Sequence, residues 1–402
     1  MSSLYAPNVV GGAERVVQAL AESLVAAGRD AFVVTAAEES GMHMARVNGV
    51  RVYYVGNRNV YWPFRSEGRP SYLKPLWHAI DTYNVAMAQQ VGSILTDERP
   101  EVLHTHGLMG FSPLVWRVAK RRRIPVVHTL HDYYLLCPGA TLFRNGKNCV
   151  HRHLDCRLYS LPRLRATRDV DAVVGVSQYI LDRHLADGAF ASVSSRHVIH
   201  NMRTDALATD TPLLKLPQPM SVDARRGSLR IGFMGQLVPL KGIELLLQEA
   251  LLLPDDGWQL KIAGRGYPPE YEMALRAQYT SKRVEFVGFT EPAAFFEDID
   301  LLVVPSLWQE PMGLVILESR AHGVPVLASR RGGMPELLQD GVNGWLFDPE
   351  EPGALAAALR QLIANPSLVT AAACRSGEGL SEFAPRHVRE RYEEVYRNVV
   401  LT

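Results

Sequence analysis

The chain has 402 residues, of which 47% are hydrophobic and 21% are charged, a composition that is typical of globular proteins and excludes disorder. This length predicts two domains of about 200 residues each. The longest apolar runs, such as residues 301–305, are too short to span a bilayer, and no charged-then-apolar leader opens the chain. Four cysteines do not make a disulfide framework, so a reducing cytoplasm is expected.

The net charge of +1 conceals an asymmetry between the two halves of the chain. Residues 1–200 carry 23 Lys and Arg against 16 Asp and Glu, a balance of +7. The remaining residues carry 20 against 26, a balance of −6. The two halves are therefore expected to meet different partners, with the basic half facing something anionic.

Short β-branched runs alternate with helical stretches along the whole chain, which predicts βαβ units and parallel sheet. Helices fill the gaps between the predicted strands, for example residues 13–27 and 355–363. In the first half the predicted strands cover residues 31–35, 50–55, 102–105, 125–129, 172–176 and 197–199. In the second half they cover residues 229–234, 259–263, 284–287, 301–304, 325–328 and 344–347. Each half is predicted to be a doubly wound domain.

The domain boundaries follow from composition. Residues 204–228, rich in Pro, Asp and Thr without clear periodicity, are predicted to link a first domain, residues 1–203, to a second, residues 229–384. Residues 385–402 are predicted to form a helix that packs back on the first domain. Val388, Tyr392 and Tyr396 fall on one face of that helix.

Two Asp-x-Asp triplets precede predicted buried strands, Asp169 with Asp171 and Asp298 with Asp300. Such triplets bind metal ions in metal-dependent sugar transferases. Acidic residues also cap and solvate the turn between a helix and a strand, and we favour this second interpretation at both places.

The densest group of chemically informative residues lies between Pro305 and Glu318. A strand ends at Pro305, a loop containing Glu310 follows, and a helix is predicted to begin near Gly313. The first N–H groups of that helix, with the positive end of its dipole, would cradle a pyrophosphate. Glu318 lies further along the helix, and its carboxylate is suited to the two hydroxyls of a ribose.

Taken with Ser306, Pro311 and the segments Gly-Val-Pro-Val at 323–326 and Gly-Gly-Met-Pro-Glu at 332–336, this group resembles the retaining glycosyltransferases of family 4, of a bacterial type. The resemblance covers nearly the whole chain and is densest over residues 232–348. It implies the fold known as GT-B, in which two doubly wound Rossmann-like domains face each other across a cleft. It also implies that Glu310 contacts the transferred sugar near its reacting carbon and that Glu318 holds the nucleotide ribose.

A second motif, residues 232–242, follows a predicted strand and opens a helix. Lys241 is a flexible cation at this turn, and the resemblance implies that it neutralises the diphosphate leaving group. The family usually has an Arg where this chain has Gln236. Arg265 is expected to supply the missing cation. Alternatively, Arg265 is an exposed arginine of a loop without a role in the site.

In the first half, Gly11 and Gly12 precede a predicted helix and allow close backbone approach at the cleft. The family begins with a complete central strand, whereas this chain has only a short one: either the start is late or the strand is shortened. His104, His106, His128 and His131 lie at the ends of two strands, and a zinc site there is not favoured. The resemblance implies that His131 lines the cleft beside the sugar, with His106 as a weaker contact.

Cys137, Cys149 and Cys156, interleaved with histidines, remain ambiguous. Three Cys and a His can bind zinc, but the spacings are not Cys-x-x-Cys, and reduced cysteines in an acceptor-side loop are preferred. Residues 144–168 hold seven Lys and Arg, one Asp and several apolar side chains. This segment is expected either to contact anionic lipid or to be a solvated loop.

Together these features predict a cytoplasmic retaining hexosyltransferase for polysaccharide biosynthesis, peripheral at the inner membrane face. It would use a nucleotide-diphosphate sugar, a saccharide or lipid-linked acceptor, no metal and no nucleic acid. The catalytic residues would be Glu310, Lys241 and His131. The alternatives are an epimerase of the same fold and a catalytically silent nucleotide-sugar-binding protein. The residues predicted to bind the nucleotide sugar are Gly12, Gln236, Arg265, Met312, Gly313, Leu314, Val315 and Glu318.

Overall fold

The computed structural model describes residues 1–8, 11–64, 71–204 and 228–401. The chain divides into two compact units. Unit 1 comprises Met1–Leu142, Cys149–Thr204 and Pro385–Thr402, and unit 2 comprises Phe143–Asn148 and Asp205–Ala384. The predicted linker, residues 204–228, lies outside the described residues except at its two ends.

The strands follow one another in the predicted α/β alternation. In chain order they are β1 (Phe32–Ala37), β2 (Met42–Val47), β3 (Val50–Gly56), β4 (Leu103–Thr105), β5 (Val126–Leu130), β6 (Phe143–Arg144), β7 (Lys147–Asn148), β8 (Ala172–Gly175), β9 (Ser195–Val198), β10 (Leu229–Met234), β11 (Trp258–Ala263), β12 (Val284–Gly288), β13 (Leu301–Val304), β14 (Val326–Ser329) and β15 (Gly344–Phe347).

The helices lie before, between and after these strands. In chain order they are α1 (Gly12–Ala26), α2 (Lys74–Thr82), α3 (Val85–Glu98), α4 (Leu114–Arg121), α5 (Leu154–Ala166), α6 (Gln178–Ala186), α7 (Ile243–Ala250), α8 (Pro269–Gln278), α9 (Pro292–Glu297), α10 (Leu314–Ala321), α11 (Ala354–Ala364), α12 (Pro366–Arg375) and α13 (Pro385–Leu401). Among the described residues, no helix combines the length and the apolar character that crossing a membrane requires.

Unit 1 holds two sheets. Strands β4, β5, β8 and β9 form a parallel sheet in that order, and β1, β3 and β2 form a second sheet in which only β2 is antiparallel. Residues 1–3 run between β1 and β4: the Ser2 N–H donates to Val34, and the His106 N–H donates to the carbonyl of Met1. Residues 1–3 therefore join the two sheets through a few hydrogen bonds.

A cavity of about 820 Å³ lies beside Met1, between β1 and β4. Its walls include apolar side chains of α1 and α13, such as Leu20 and Val400. The Met1 amine donates to the carbonyl of His104 at 2.7 Å, and burial lowers its pKa to about 5. The start of the chain is thus an interior part of unit 1.

Helix α13 belongs to unit 1, although 180 residues of unit 2 precede it in the chain. Its buried side chains include Val388, Tyr392 and Val395, and Arg29, which follows α1, forms an ion pair with Glu393 of α13. From the sequence we predicted that this helix packs on the first domain and that Val388 and Tyr392 lie on one face of it.

Unit 2 is built on one parallel six-stranded sheet with the order β12-β11-β10-β13-β14-β15. Its core is formed by apolar side chains of the central strands and of the helices that cover them, for example Ile231, Leu260, Leu301, Leu246 and Leu359. The chain builds one half of the sheet from β10 outward to β12, and then builds the other half from β13 to β15. This is the strand arrangement of the doubly wound nucleotide-binding fold.

Every one of the twelve predicted strands overlaps an observed strand, but β2 and the β6–β7 hairpin were missed. Strand β2 is mostly exposed and lacks the β-branched run that marks a buried strand. The hairpin corrects one predicted boundary, because Phe143–Asn148 groups with unit 2 rather than with the first half of the chain. The Asn148 side chain binds a loop of unit 2, at Leu307 and Gln309.

Candidate active site

The candidate site of unit 2 lies where the strand order of its sheet reverses. Strands β10 and β13 are neighbours at the centre of the sheet, although two other strands separate them in the chain. The loops that follow such strands diverge to opposite sides and leave a crevice at the carboxyl ends, which is where ligands bind in open α/β sheets. Lys241 follows β10 and Glu310 follows β13, so both lie at this position.

Lys241 and Glu310 form an ion pair, with Nζ and Oε1 2.5 Å apart. Glu310 is buried and also accepts a hydrogen bond from Ser306 Oγ at 3.0 Å. The Lys241 ammonium is partly exposed and lies 5.4 Å from the ring centroid of Trp308. A buried carboxylate, an ammonium and a hydroxyl thus converge on one point, and the ammonium has three donors to share.

The loop that carries Glu310 is held by backbone contacts on two sides. The Leu240 carbonyl accepts hydrogen bonds from the N–H groups of Leu307 and Trp308, at 3.0 and 3.2 Å. On the other side, the Asn148 side chain donates to the Leu307 carbonyl at 2.7 Å and accepts from the Gln309 N–H at 3.1 Å. Sequence reasoning missed Asn148, because no local motif connects it with a loop some 160 residues further along the chain.

Two glycines let neighbouring loops touch the loop of Glu310. Gly242 has φ +71°, and a Cβ there would lie 1.9 Å from the Pro305 carbonyl oxygen. Gly332 has φ +55°, and a Cβ there would lie 1.9 Å from the Glu310 carbonyl oxygen. Both positions combine a left-handed backbone with a close approach that no side chain permits.

Helix α10 begins at Leu314, with Gly313 as its N-cap at φ +99°. Its first N–H groups, like those of any helix, have no acceptor within the helix, so those of Leu314 and Val315 suit an anion. Met312 is buried at the entry to the helix, and Glu318 lies in its second turn, 9% exposed. The predicted residues of this segment therefore lie together at the helix N-terminus, directly after Glu310 in the chain.

Buried Arg320 anchors α10 to unit 2. Its guanidinium donates to the carbonyl oxygens of Leu337, Ser376 and Glu378, at 2.6, 3.0 and 2.5 Å. Burial lowers the pKa of Arg320 to about 10. The sequence did not single out this residue, which fixes the helix that carries Glu318.

Gln236 and Arg265 lie on adjacent loops, after the neighbouring strands β10 and β11. The Leu237 N–H donates to the Arg265 carbonyl at 2.9 Å. Both side chains are exposed, and the Arg265 guanidinium lies 5.7 Å from the ring centroid of Phe289. The structure thus places the loops of Gln236 and Arg265 side by side through their backbones.

In unit 1 the predicted residues lie at the start of α1 and directly after β5. Gly12 is the exposed first residue of α1. His131 follows β5, and its Nε2 lies 3.0 Å from Nδ1 of His106. Burial lowers the pKa of His131 to about 4, and burial together with the neighbouring histidines lowers that of His106. The pair is neutral at pH 7, so one ring donates and the other accepts.

The contacts of the pair His106–His131 extend to a third histidine, His104, a contact which the sequence did not indicate. The ring centroids of His104 and His106 are 3.9 Å apart, and His104 hydrogen-bonds Tyr396 and Thr129, each at 2.7 Å. Tyr396 belongs to α13. The apolar face predicted for that helix was the only feature of the sequence that pointed to this contact. His128, by contrast, is a buried residue in the middle of β5 that packs against Trp116.

The Asp-x-Asp carboxylates accept hydrogen bonds from basic side chains of neighbouring strands and helices. Asp169 pairs with Arg117 and Asp171 with Lys120. Asp300 binds both the side chain and the backbone N–H of Arg230. These contacts correspond to the structural interpretation of the triplets.

Cys137 and Cys156 are buried and hydrogen-bonded to each other. Burial, and to a smaller extent the neighbouring Cys137, raises the pKa of Cys156 to about 12. Within the described part of the chain, no three His, Cys, Asp or Glu side chains are grouped closely enough to hold a metal ion.

Two family models match the chain. The model described as glycosyl transferase 4-like domain matches residues 11–201, and the model described as glycosyl transferases group 1 matches residues 228–365. A protein of the cps region of Klebsiella pneumoniae is 32% identical over 337 residues, which cover 84% of this chain and 86% of that one. A D-inositol 3-phosphate glycosyltransferase of Mycolicibacterium vanbaalenii is 27% identical over 297 residues, 68% of this chain and 62% of that relative.

Solved structures agree in fold. The sucrose-phosphate synthase of Thermosynechococcus elongatus has a TM-score of 0.72 at 21% identity, over 97% of this chain and 94% of that chain. Anabaena HepE in complex with UDP-glucose has a TM-score of 0.67 at 20% identity, over 98% of each chain. The matches and the strand order define an enzyme of the glycosyl-transfer class. The chain belongs to the glycosyltransferases of group 1, with the GT-B fold.

Proposed function

We propose that the protein transfers a hexosyl unit from a nucleotide-diphosphate sugar to a saccharide or lipid-linked acceptor, with retention of the anomeric configuration. The observation that carries the proposal is the contact of Lys241 with Glu310 at the reversal of the strand order, immediately before the N-terminus of α10. In this proposal unit 2 binds the nucleotide diphosphate of the donor, and unit 1 contributes the acceptor contacts together with two contacts to the donor. The resemblance to the retaining glycosyltransferases of family 4 supports this assignment of the two units.

The proposed donor contacts follow from the chemistry of each group. Lys241 and the N–H groups of Gly313, Leu314 and Val315 hold the diphosphate, with Arg265 and Gln236 at its edge and Met312 beneath it. Glu318 accepts hydrogen bonds from the ribose hydroxyls. Glu310 contacts the sugar near its reacting carbon. On the side of unit 1, Gly12 approaches the donor through its backbone, and His131 donates a hydrogen bond to the transferred sugar.

The proposed reaction is a front-face substitution. The bond between the anomeric carbon and the diphosphate oxygen breaks while the acceptor oxygen forms a bond to the same face of that carbon. The acceptor proton passes to the departing phosphate oxygen. Lys241 and the helix N–H groups stabilise the charge that develops there, which is the role that metal ions play in other transferases. The proposal therefore includes no metal cofactor.

The donor and the acceptor are inferred by class. HepE was solved with UDP-glucose, which supports a nucleotide sugar as the donor here. The relative from the Klebsiella cps region supports a role in polysaccharide assembly. We place the enzyme in the cytoplasm, with contact to the inner face of the membrane through its basic first half, where a lipid-linked acceptor would be met.

A screen of nucleotide sugars by thermal shift, followed by an assay of nucleoside-diphosphate release, tests the proposal. We expect one donor to stabilise the protein and to release its diphosphate faster when an acceptor is present, also in excess EDTA. Release of a sugar epimer without any acceptor would identify the epimerase instead, and binding without release would identify a silent binding protein. Loss of activity in EDTA that Mg²⁺ or Mn²⁺ restores would overturn the metal-free mechanism.

A further inference from the structure

Helix α5 of unit 1 has its polar and apolar faces reversed relative to an ordinary surface helix. Its buried side chains are Cys156, Ser160 and Arg163. Leu154, Leu158 and Leu161, with the same spacing on the opposite face, are 82%, 70% and 48% exposed. These three side chains form the leucine stripe, an apolar row that is exposed in the part of the chain that the structure describes.

A buried ion pair holds the helix in this orientation. Arg163 Nη2 lies 3.3 Å from Asp81 Oδ2, and both side chains are fully buried. Arg163 also donates to the carbonyl of Tyr134 at 2.7 Å, and Asp81 accepts from the Tyr134 hydroxyl at 2.6 Å. Rotation of α5 to bury the leucine stripe would expose Arg163 and leave the Asp81 carboxylate without its cation, which is strongly unfavourable.

Helix α2 and the turn before it also carry exposed apolar side chains. Helix α2 packs against α5, and the Tyr159 hydroxyl donates to the Pro75 carbonyl at 3.3 Å. Tyr72, just before α2, and Leu76, in its first turn, are exposed. Large exposed apolar side chains on two helices that pack together are typical of an interaction site.

Basic side chains interleave with the leucine stripe. Arg165 continues its line along α5, one turn beyond Leu161, and Arg157 flanks it; both are exposed. Aliphatic side chains that enter the acyl boundary, with arginines that reach the headgroups, are typical of helices that lie in a membrane interface. A protein partner would need acidic groups in register with the two arginines, whereas an anionic bilayer presents negative charge at every position.

We propose that the α5 surface, formed by the leucine stripe with Arg157 and Arg165, docks on anionic lipid bilayers. The proposal deepens the proposed function, on which it rests for its purpose: a docked enzyme meets an acceptor that is held in the membrane. The leucines supply the apolar contact and the arginines the preference for negative headgroups. Because lipid charge acts over a Debye length, the docking weakens as salt is added.

The experiment is cosedimentation of the full chain with vesicles of phosphatidylcholine alone and with vesicles that also contain phosphatidylglycerol. We expect salt-reversible binding to the second kind and little binding to the first. Replacing Leu154, Leu158 and Leu161 together by Ser should lower the partition coefficient by at least about tenfold, since each removes an apolar side chain from the interface. Arg157→Glu with Arg165→Glu should lower it by about fivefold or more for each arginine.

The matched control is Met42→Ser with Met44→Ser, which removes two exposed apolar side chains from β2 of the same unit. It should leave vesicle binding unchanged. Equal binding of the triple-serine variant and the unaltered chain, or binding that ignores lipid charge, would overturn the proposal. Concentration-dependent dimers that the triple-serine variant abolishes, without any vesicle binding, would assign the stripe to a second copy of the chain instead.

Diphosphate release without vesicles separates this proposal from the proposed function. The triple-serine variant should release nucleoside diphosphate at the rate of the unaltered chain, because α5 contributes none of the proposed donor contacts. An enzyme that docks but releases no diphosphate from any nucleotide sugar would keep the docking surface and lose the proposed function.

Discussion

Twelve of the thirteen histidines of the chain belong to unit 1, whereas unit 2 holds His322 alone. In unit 1 burial lowers the pKa values of His131 and His184 to about 4 and that of His128 to about 3. In unit 2 two side chains at the centre of the site, Lys241 and Glu310, are charged and paired with each other. Two units of similar α/β construction thus present neutral hydrogen-bonding groups in one case and fixed charges in the other.

The difference matches the parts that the two units play in the proposed reaction. Charge develops on the departing diphosphate, and a preorganised cation and helix N–H groups stabilise it without rearrangement. A sugar hydroxyl carries no charge and is oriented by neutral donors and acceptors, such as the pair of His106 and His131. This difference between the units can therefore be tested by protonating the histidines of unit 1 and by removing a charged side chain from unit 2.

Acidification is expected to produce the largest effect, with unit 1 unfolding before unit 2. The unfolded histidines take up protons near pH 6.5, while the buried ones resist until about pH 4, so the stability of unit 1 is full above pH 6.5 and falls as the pH drops toward 4. Each such histidine contributes about 1.4 kcal/mol per pH unit in that window. Burial raises the pKa values of Asp81 and Asp132, which offsets part of the loss.

Hydrogen exchange followed by mass spectrometry would measure this order, because peptides from the two units are resolved separately. Protection of unit 1 should be lost at a higher pH than protection of unit 2. Simultaneous loss, or earlier loss in unit 2, would contradict the expectation.

Removing the site cation of unit 2 is expected to have the next largest effect. Lys241→Ala should lower the rate of diphosphate release roughly 100- to 1,000-fold, since charge stabilisation at a developing anion contributes about 3–4 kcal/mol. Lys261→Ala is the matched control, because Lys261 lies in the same sheet and pairs with Asp298 at 3.1 Å. A similar loss in both variants would show that general stability, and not the site cation, is measured.

Glu318→Ala should weaken the binding of the preferred nucleoside diphosphate by roughly 10- to 100-fold, because hydrogen bonds to a charged acceptor contribute about 1.5–3 kcal/mol. Isothermal titration calorimetry with UDP, GDP and ADP measures this affinity. Glu270→Ala, an exposed carboxylate on α8, is the control. Unchanged affinity in the Glu318 variant would remove this residue from the site.

The smallest effect is expected at Asn148, which positions the loop of Glu310 without touching the proposed donor. Asn148→Ala should lower the rate of diphosphate release about tenfold, or about 1.4 kcal/mol, because it removes two neutral hydrogen bonds that contribute roughly 0.5–1 kcal/mol each. It should leave nucleotide affinity unchanged. Lys147→Ala in the same hairpin should affect neither. Equal losses of rate and affinity would show that Asn148 supports the whole unit rather than this loop.

The sheets could be predicted from the sequence because their signals are local. Buried parallel strands appear as short β-branched runs, and the loops at their carboxyl ends carry Gly, Pro and charged residues, as around Lys241 and Glu310. The loops that carry Lys241 and Glu310 were accordingly predicted from motifs. The strand order, which places both loops at the reversal point, came from the structure.

The rest depended on contacts between distant parts of the chain. Asn148 meets Leu307 across 159 positions, and Arg163 meets Asp81 across 82. No period or motif links such partners, so the hairpin was assigned to the wrong half and the reversed faces of α5 were not foreseen. Strand β2 was missed for a different reason, since its exposed Met-His-Met-Ala segment has neither the alternation nor the β-branching of a strand.

The close approaches at Gly242 and Gly332 should make these two positions of the enzyme intolerant of any substitution. At both positions the first carbon of any side chain would meet a carbonyl oxygen, so tolerance there is independent of side-chain chemistry. In a library scored for protein abundance, these positions would reject every replacement, whereas Lys241 and Glu310 would accept many and fail only when the same library is scored for transfer. Comparing the two scores would thus separate, residue by residue, the parts of the loop that shape the site from the parts that act in it.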